Sequence, residues 1–162
     1  MSAKGIRDID VIRTFVLQGT LNFTRYFFKI RQKRKFVIGK HHREIAAALD
    51  KVLCGEITRL IINIAPRYGK TELAVKNFIA EGLAINPKAK FIHLSYSDDL
   101  ARDNSRGVQD IINEPEYRRI FPATIPTSTN TKKWYTTEGG GLYAVSSAGQ
   151  VTGFGAGLVD EE

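Results

Sequence analysis

"RLIINIAPRYGKTE", residues 59–72, is the stretch on which the fold turns. Leu60, Ile61, Ile62, Ile64 and Ala65 make a short, nearly continuous apolar run, which predicts a strand over 59–65 covered on both faces. Gly69-Lys70-Thr71 then opens a segment, "KTELAVKNFIAEGLAI" (70–85), whose Leu73, Ala74, Phe78, Ile79 and Leu83 share one stripe and predict a helix. A strand, a tight turn and a helix start are the parts of a phosphate-binding loop. Its backbone amides converge on an anion, a lysine reaches the outer phosphates, and a hydroxyl meets Mg²⁺. In these roles Gly69 lets the backbone approach closely, Lys70 neutralises charge and Thr71 is the candidate magnesium ligand. The match to G-x-x-x-x-G-K-[ST] is incomplete, because Ile64 stands where the first glycine belongs. Pro66 stiffens the entry to the turn and Arg67 adds a second cation. The competing reading of the tripeptide is an ordinary strand-to-helix turn.

Working outward, the segments alternate between strand and helix. "KFIHLSYS" (90–97) reads as a second strand, and Ser97 before Asp98 and Asp99 is a helix start, since a hydroxyl caps free amides and carboxylates favour the positive helix end. That helix is expected to run until Pro115. Strand, helix, strand, helix with short links implies an α/β fold with a mainly parallel sheet flanked by helices. Upstream, "HHREIAAALDKVLCGE" (41–56) repeats Ile45, Leu49, Val52 and Leu53 at helical spacing and stops at Gly55. Ile6, Ile9, Ile12, Phe15 and Val16 predict a first helix over roughly residues 6–18. Downstream, "KWYTT" and "LYAVSS" around "EGGG" predict a hairpin with a glycine turn.

With 162 residues, 43% of them hydrophobic, the chain supports one globular domain plus an appendage. We divide it into an N-terminal helical, basic segment over 1–39 and a partial nucleotide-binding domain over 40–162. No apolar run approaches the ~20 residues that span a bilayer. The N-terminus lacks the apolar core of a secretory signal, and Cys54, the only cysteine, fits a reducing cytoplasm. The net charge of +7 is uneven: residues 1–45 hold eleven Lys/Arg against three acids, and the rest is close to neutral. The excess centres on "RYFFKIRQKRKF" (25–36), where basic and aromatic residues interleave. Such a stretch either tracks a nucleic-acid backbone or forms a solvated helix face.

"RLIINIAPRYGKTE" resembles the variant Walker A loop of large terminase subunits, the ATP-driven motors that pack DNA into tailed-phage heads, in which a Pro-Arg-x-Gly-Lys-Ser/Thr form is typical. "GKHHREIAAALDKVLCGE" looks like the helix before the motor strand, "FIHLSYSDDLARDNSRGVQDII" like the next strand-helix unit, and "WYTTEGGGLYAVSSAGQVTGFGAG" like the hairpin and glycine segment leading to Walker B. The likeness spans most of residues 40–157 in order. It implies a P-loop ATPase with ATP and Mg²⁺ as cofactors. Contacts to the nucleotide are expected from Pro66, Arg67, Tyr68, Gly69, Lys70, Thr71 and Glu72, with Lys70 and Arg67 catalytic and Thr71 on the metal. It also implies double-stranded DNA, a portal protein and a small terminase subunit as partners, a homo-oligomeric ring, and a phage or prophage gene expressed in a bacterial cytoplasm.

By the same likeness, His41 and His42 lie near the base, although on their own they read rather as polar residues in the first turn of their helix. Tyr96 and Ser97 end a strand at the edge where such sheets hold ligands, and Tyr96 is expected to pack. Walker B would be Leu158-Val159-Asp160-Glu161, which is short for a buried strand. The family's nuclease domain has no counterpart in the chain. We therefore expect a fragment whose ATP hydrolysis is weak or absent. The alternatives are another DNA-translocating, helicase-like ATPase and a non-catalytic nucleic-acid-binding remnant.

Overall fold

The computed structural model describes residues 8–147. It opens with helices α1 (Asp8–Val16), α2 (Thr20–Gln32) and α3 (Lys40–Leu53). A π-helical segment, Glu72–Asn77, runs directly into α4 (Phe78–Ile85). Then come β1 (Lys90–Ser95), α5 (Asp98–Asn113), α6 (Pro115–Ile120), β2 (Lys133–Tyr135) and β3 (Gly141–Ser146). The described chain is thus mixed α/β, with helices around a small sheet of order β1-β3-β2. β1 and β3 run parallel, in register from Lys90↔Gly141 to Ser95↔Ser146, and β2 pairs antiparallel with β3. The expected glycine hairpin and the expected second strand are both present. Gly140 sits so close to the Pro87 carbonyl that a Cβ there would collide with the backbone.

Capping and periodicity explain most of the helices. Ser97 Oγ accepts from Leu100 N at 3.3 Å and starts α5, and Gly55, at φ 75°, turns the chain left-handed after α3. Proline supplies both a stop and a start. Pro115 ends α5 as anticipated, and it also occupies the first turn of α6, where its missing amide costs nothing.

The interleaved basic and aromatic stretch resolves into helical faces. Phe23 and Phe27 of α2 are fully buried, while Arg25 and Lys29 point to solvent. The two phenylalanine rings lie 4.6 Å apart, Tyr117 is 5.3 Å from Phe27, and Phe121 is 5.1 Å from Tyr117. Val16, Phe23 and Phe27 join Trp134, Leu142 and Ile112 in one buried cluster, so the N-terminal helices share their core with the rest of the described chain. The polar tips of two of its aromatic side chains are satisfied: Trp134 Nε1 donates to Ser105 Oγ at 2.9 Å and the Tyr117 hydroxyl to the Ala80 carbonyl at 2.8 Å. Among the described residues no helix is long and apolar enough to cross a membrane.

One expected element is missing. Residues 59–65 form no strand: the described sheet has the order β1-β3-β2, and this run pairs with neither of its edge strands. Ile61 is 94% exposed. A strand exists only through its ladder, and apolar composition cannot supply a neighbour.

Candidate phosphate-binding loop

The turn after this unpaired run is tightly specified. Arg67 and Gly69 both have positive φ, 68° and 74°, and flank Tyr68. For Gly69 this is ordinary; for Arg67 it is a left-handed conformation that costs roughly 1–2 kcal/mol. The Gly69 carbonyl accepts from Leu73 N at 3.0 Å, which makes Gly69 the residue before the first helical turn. Lys70 and Thr71 are already helical, and the amides of Lys70, Thr71 and Glu72 therefore sit at the open, positive end of a helix that continues to Ile85.

His42 holds the turn from behind. Its Nδ1 accepts from Gly39 N at 2.9 Å, so the ring proton is on Nε2, which donates to the Tyr68 carbonyl at 2.9 Å. Here a histidine fills the place at the start of α3 that Glu or Gln takes in a capping box. Its ring also fills the space where a side chain on Gly69 would lie, with a Cβ only 2.8 Å from Nε2. Burial, then the neighbouring His41, hold His42 below the usual histidine range, with the Tyr68 carbonyl pulling the other way. His42 is thus neutral at pH 7, as the hydrogen-bond pattern requires.

In front of the turn lies a concavity of about 480 Å³ lined by Ala65, Pro66, Arg67, Gly69, Lys70, Thr71, Glu72 and Lys76. Its only acid among the described residues, Glu72, is committed elsewhere. The Arg31 guanidinium of α2 forms a salt bridge with it, the two side chains being 9% and 18% exposed, and Asn77 Nδ2 donates to Glu72 Oε1 at 3.0 Å. Asn77 also donates to the Glu72 carbonyl at 2.7 Å, a bond that spans the widened π turn. By contrast Arg67, Lys70 and Lys76 make no ion pair or side-chain hydrogen bond with any described residue. Among the described residues, then, the site is a cluster of cations without acidic partners at a helix N-terminus.

Of the sequence-derived residues, Pro66, Arg67, Gly69, Lys70, Thr71 and Glu72 line this one concavity. Tyr68 does not: it is 55% exposed and its ring meets His41 edge-on at 5.5 Å. His42 lies under the loop, so it is more than a polar residue of a first turn. Tyr96, expected to pack, is 91% exposed, because β1 ends before it. Leu158, Val159, Asp160 and Glu161 lie outside the described residues. Sequence reasoning missed Lys76 and Arg31: the spacing gave no sign of the π turn or of the approach of α2.

As a donor set, the loop suits a phosphate chain. For a divalent cation it offers the exposed Thr71 hydroxyl, and no group of three or more His, Cys, Asp or Glu side chains is assembled among the described residues. Mg²⁺ commonly takes few protein ligands beside water and phosphate oxygens, so this set fits a nucleotide-bound ion and not a self-standing metal centre. Comparison of the chain with protein-family models, with curated proteins and with solved structures returned no match.

Proposed function

We propose that the chain binds a nucleoside triphosphate, with ATP the expected ligand, in a P-loop arrangement centred on Pro66–Glu72. The observation that carries the proposal is a concavity in which a helix N-terminus, Arg67 and Lys70 converge while the one carboxylate among its described lining residues is held by Arg31. An anion is the ligand this electrostatic arrangement favours. The amides after Gly69 would cradle the phosphates, Lys70 would balance the outer ones, and the Arg67 guanidinium would stabilise charge developing on a transferred phosphoryl group. Thr71 would hold Mg²⁺, which when bound would supply charge neutralisation at the phosphates. Water activation needs a carboxylate, and Asp160 and Glu161 are the candidates by sequence.

The sequence resemblance extends this reading to the ATP-binding motor region of a large terminase subunit, acting on double-stranded DNA with a portal protein and a small subunit. A second reading, a non-catalytic nucleic-acid binder, is favoured by one feature: Arg25, Lys29, Lys33, Arg34 and Lys35 are all exposed on and after α2.

Titration of a fluorescent ATP analogue against the chain and its Lys70→Ala form separates the two. Micromolar binding that the substitution abolishes supports the nucleotide site. Equal, negligible affinity in both, with DNA binding retained, favours the binder.

A further inference from the structure

Lys76 was not part of the loop motif, yet it lines the same concavity as Arg67 and Lys70. Its stem is laid across Gly107 of α5, where an added Cβ would stand 2.7 Å from both Cδ and Cε and 3.1 Å from Nζ. Any larger residue at 107 would displace the ammonium. The lysine is therefore held by a packing contact on its stem, not by a partner on its charge. Among the described residues that line the concavity the one carboxylate, Glu72, is paired with Arg31, so the charge of Lys76 adds to those of Arg67 and Lys70.

We propose that Lys76 is a specificity-determining residue of this site, a third cation that makes the concavity select a triphosphate chain over shorter phosphates. The proposal rests on the nucleotide reading above. Two lysines, an arginine and a helix end together match the charge of a triphosphate more closely than that of a diphosphate or orthophosphate. Removing one cation should cost the longest chain most.

The test displaces a fluorescent ATP analogue from the full chain with tripolyphosphate and with pyrophosphate. Four proteins are compared: the unaltered chain, Lys76→Met, Gly107→Ala and Lys70→Ala. Lys76→Met keeps the packed stem and removes the charge. It is expected to weaken tripolyphosphate binding by about tenfold or more, in the range of one charge-assisted hydrogen bond, and pyrophosphate by much less. Gly107→Ala keeps the charge but moves it, so it should shift selectivity in the same direction by a smaller factor, while an unchanged melting temperature shows that the fold is intact. If Lys76→Met preserves the ratio of the two affinities while Lys70→Ala abolishes binding, the role of Lys76 is overturned and the nucleotide site stands. Lys70→Ala binding as well as the unaltered chain would remove both.

Discussion

Arg67 occupies backbone space that most L-residues avoid, and a residue kept there has either a structural or a chemical reason. Two substitutions separate these, because both remove the guanidinium but only one relieves the backbone. Arg67→Gly should be more stable than Arg67→Ala by about 1 kcal/mol in urea unfolding, the left-handed penalty less the entropy glycine loses on folding. Both should lose affinity for the ATP analogue to the same extent. A Gly form that binds as well as the unaltered chain would show that the arginine side chain serves no ligand. His42 makes a separate prediction at this scale. Its folded pKa lies below 6.5, so the unfolded chain binds more protons as the pH falls through 6.5, and stability drops there. Charging would also place an N–H at Nδ1 against the Gly39 amide, which now donates to it. His93 is likewise held low by burial and acts with the same sign. As the pH falls from 7.5 to 5, the melting temperature of His42→Gln should therefore rise relative to that of the unaltered chain; parallel curves would show that the ring does not titrate as described.

Between elements, the seam joining α2 to the loop helix is polar where cores are usually apolar. The two run antiparallel, with Arg31 opposite Glu72 at one end and Thr20 beside Glu81 at the other, and Thr24 and Asn77 fall between those rungs in sequence. Thr20 Oγ1, Thr24 Oγ1, Arg31 Nε, Asn77 Oδ1 and Glu81 Oε2 are all buried without a hydrogen-bond partner. Glu81 is 1% exposed, and burial above all, with Asp50 of α3 adding to it and Thr20 opposing, pushes its carboxyl up to about 8. Tyr117 of α6 faces the same carboxyl. The sign follows from proton counts: between the usual carboxylate value of 4.5 and about 8 the folded chain holds a proton that the unfolded chain has lost, so stability declines as pH rises through that window. The slope from this group alone reaches at most about 1.4 kcal/mol per pH unit. In Glu81→Gln, which cannot ionise, denaturant midpoints should lose this slope and rise at pH 8. An unchanged slope would mean that Glu81 is ionised and solvated in the folded chain.

The same seam shows what was legible beforehand. Helices α1, α3, α4 and α5 announced themselves because apolar spacing and capping act within a few residues, and the glycine hairpin because its turn is local. The strand expected over 59–65 and the π turn at 72–77 were not legible. One depends on a neighbour distant in sequence and the other on how Glu72 and Asn77 meet. The loop residues were readable as a motif, whereas His42 and Lys76 reach it only through the packing of α3 and α5.

At the level of the whole molecule, five of the basic residues in the first 45 lie exposed on or just after α2. Arg25 and Lys29 are one turn apart on the solvent face of α2, and Lys33, Arg34 and Lys35 follow the helix end, all exposed. Arg34 lies over the Phe28 ring, 5.7 Å from its centre, which fixes part of this cationic surface. On the other face of the same helix Arg31 is tied to Glu72, so the element that carries the charge also touches the candidate phosphate loop. If this surface follows a DNA backbone, binding should be independent of sequence and strongly salt-dependent, each phosphate contact contributing about 0.9 to the slope of log affinity against log salt. Replacing Arg25, Lys29 and Lys33 by Gln leaves the aromatic core and the Arg31–Glu72 pair in place. In fluorescence anisotropy with duplex DNA across a salt series, the triple variant should show a slope shallower by up to about 3, while Lys70→Ala leaves the slope unchanged. A slope that falls with Lys70 instead would place the DNA on the loop itself, and the concavity would then be part of a nucleic-acid groove with no nucleotide site of its own.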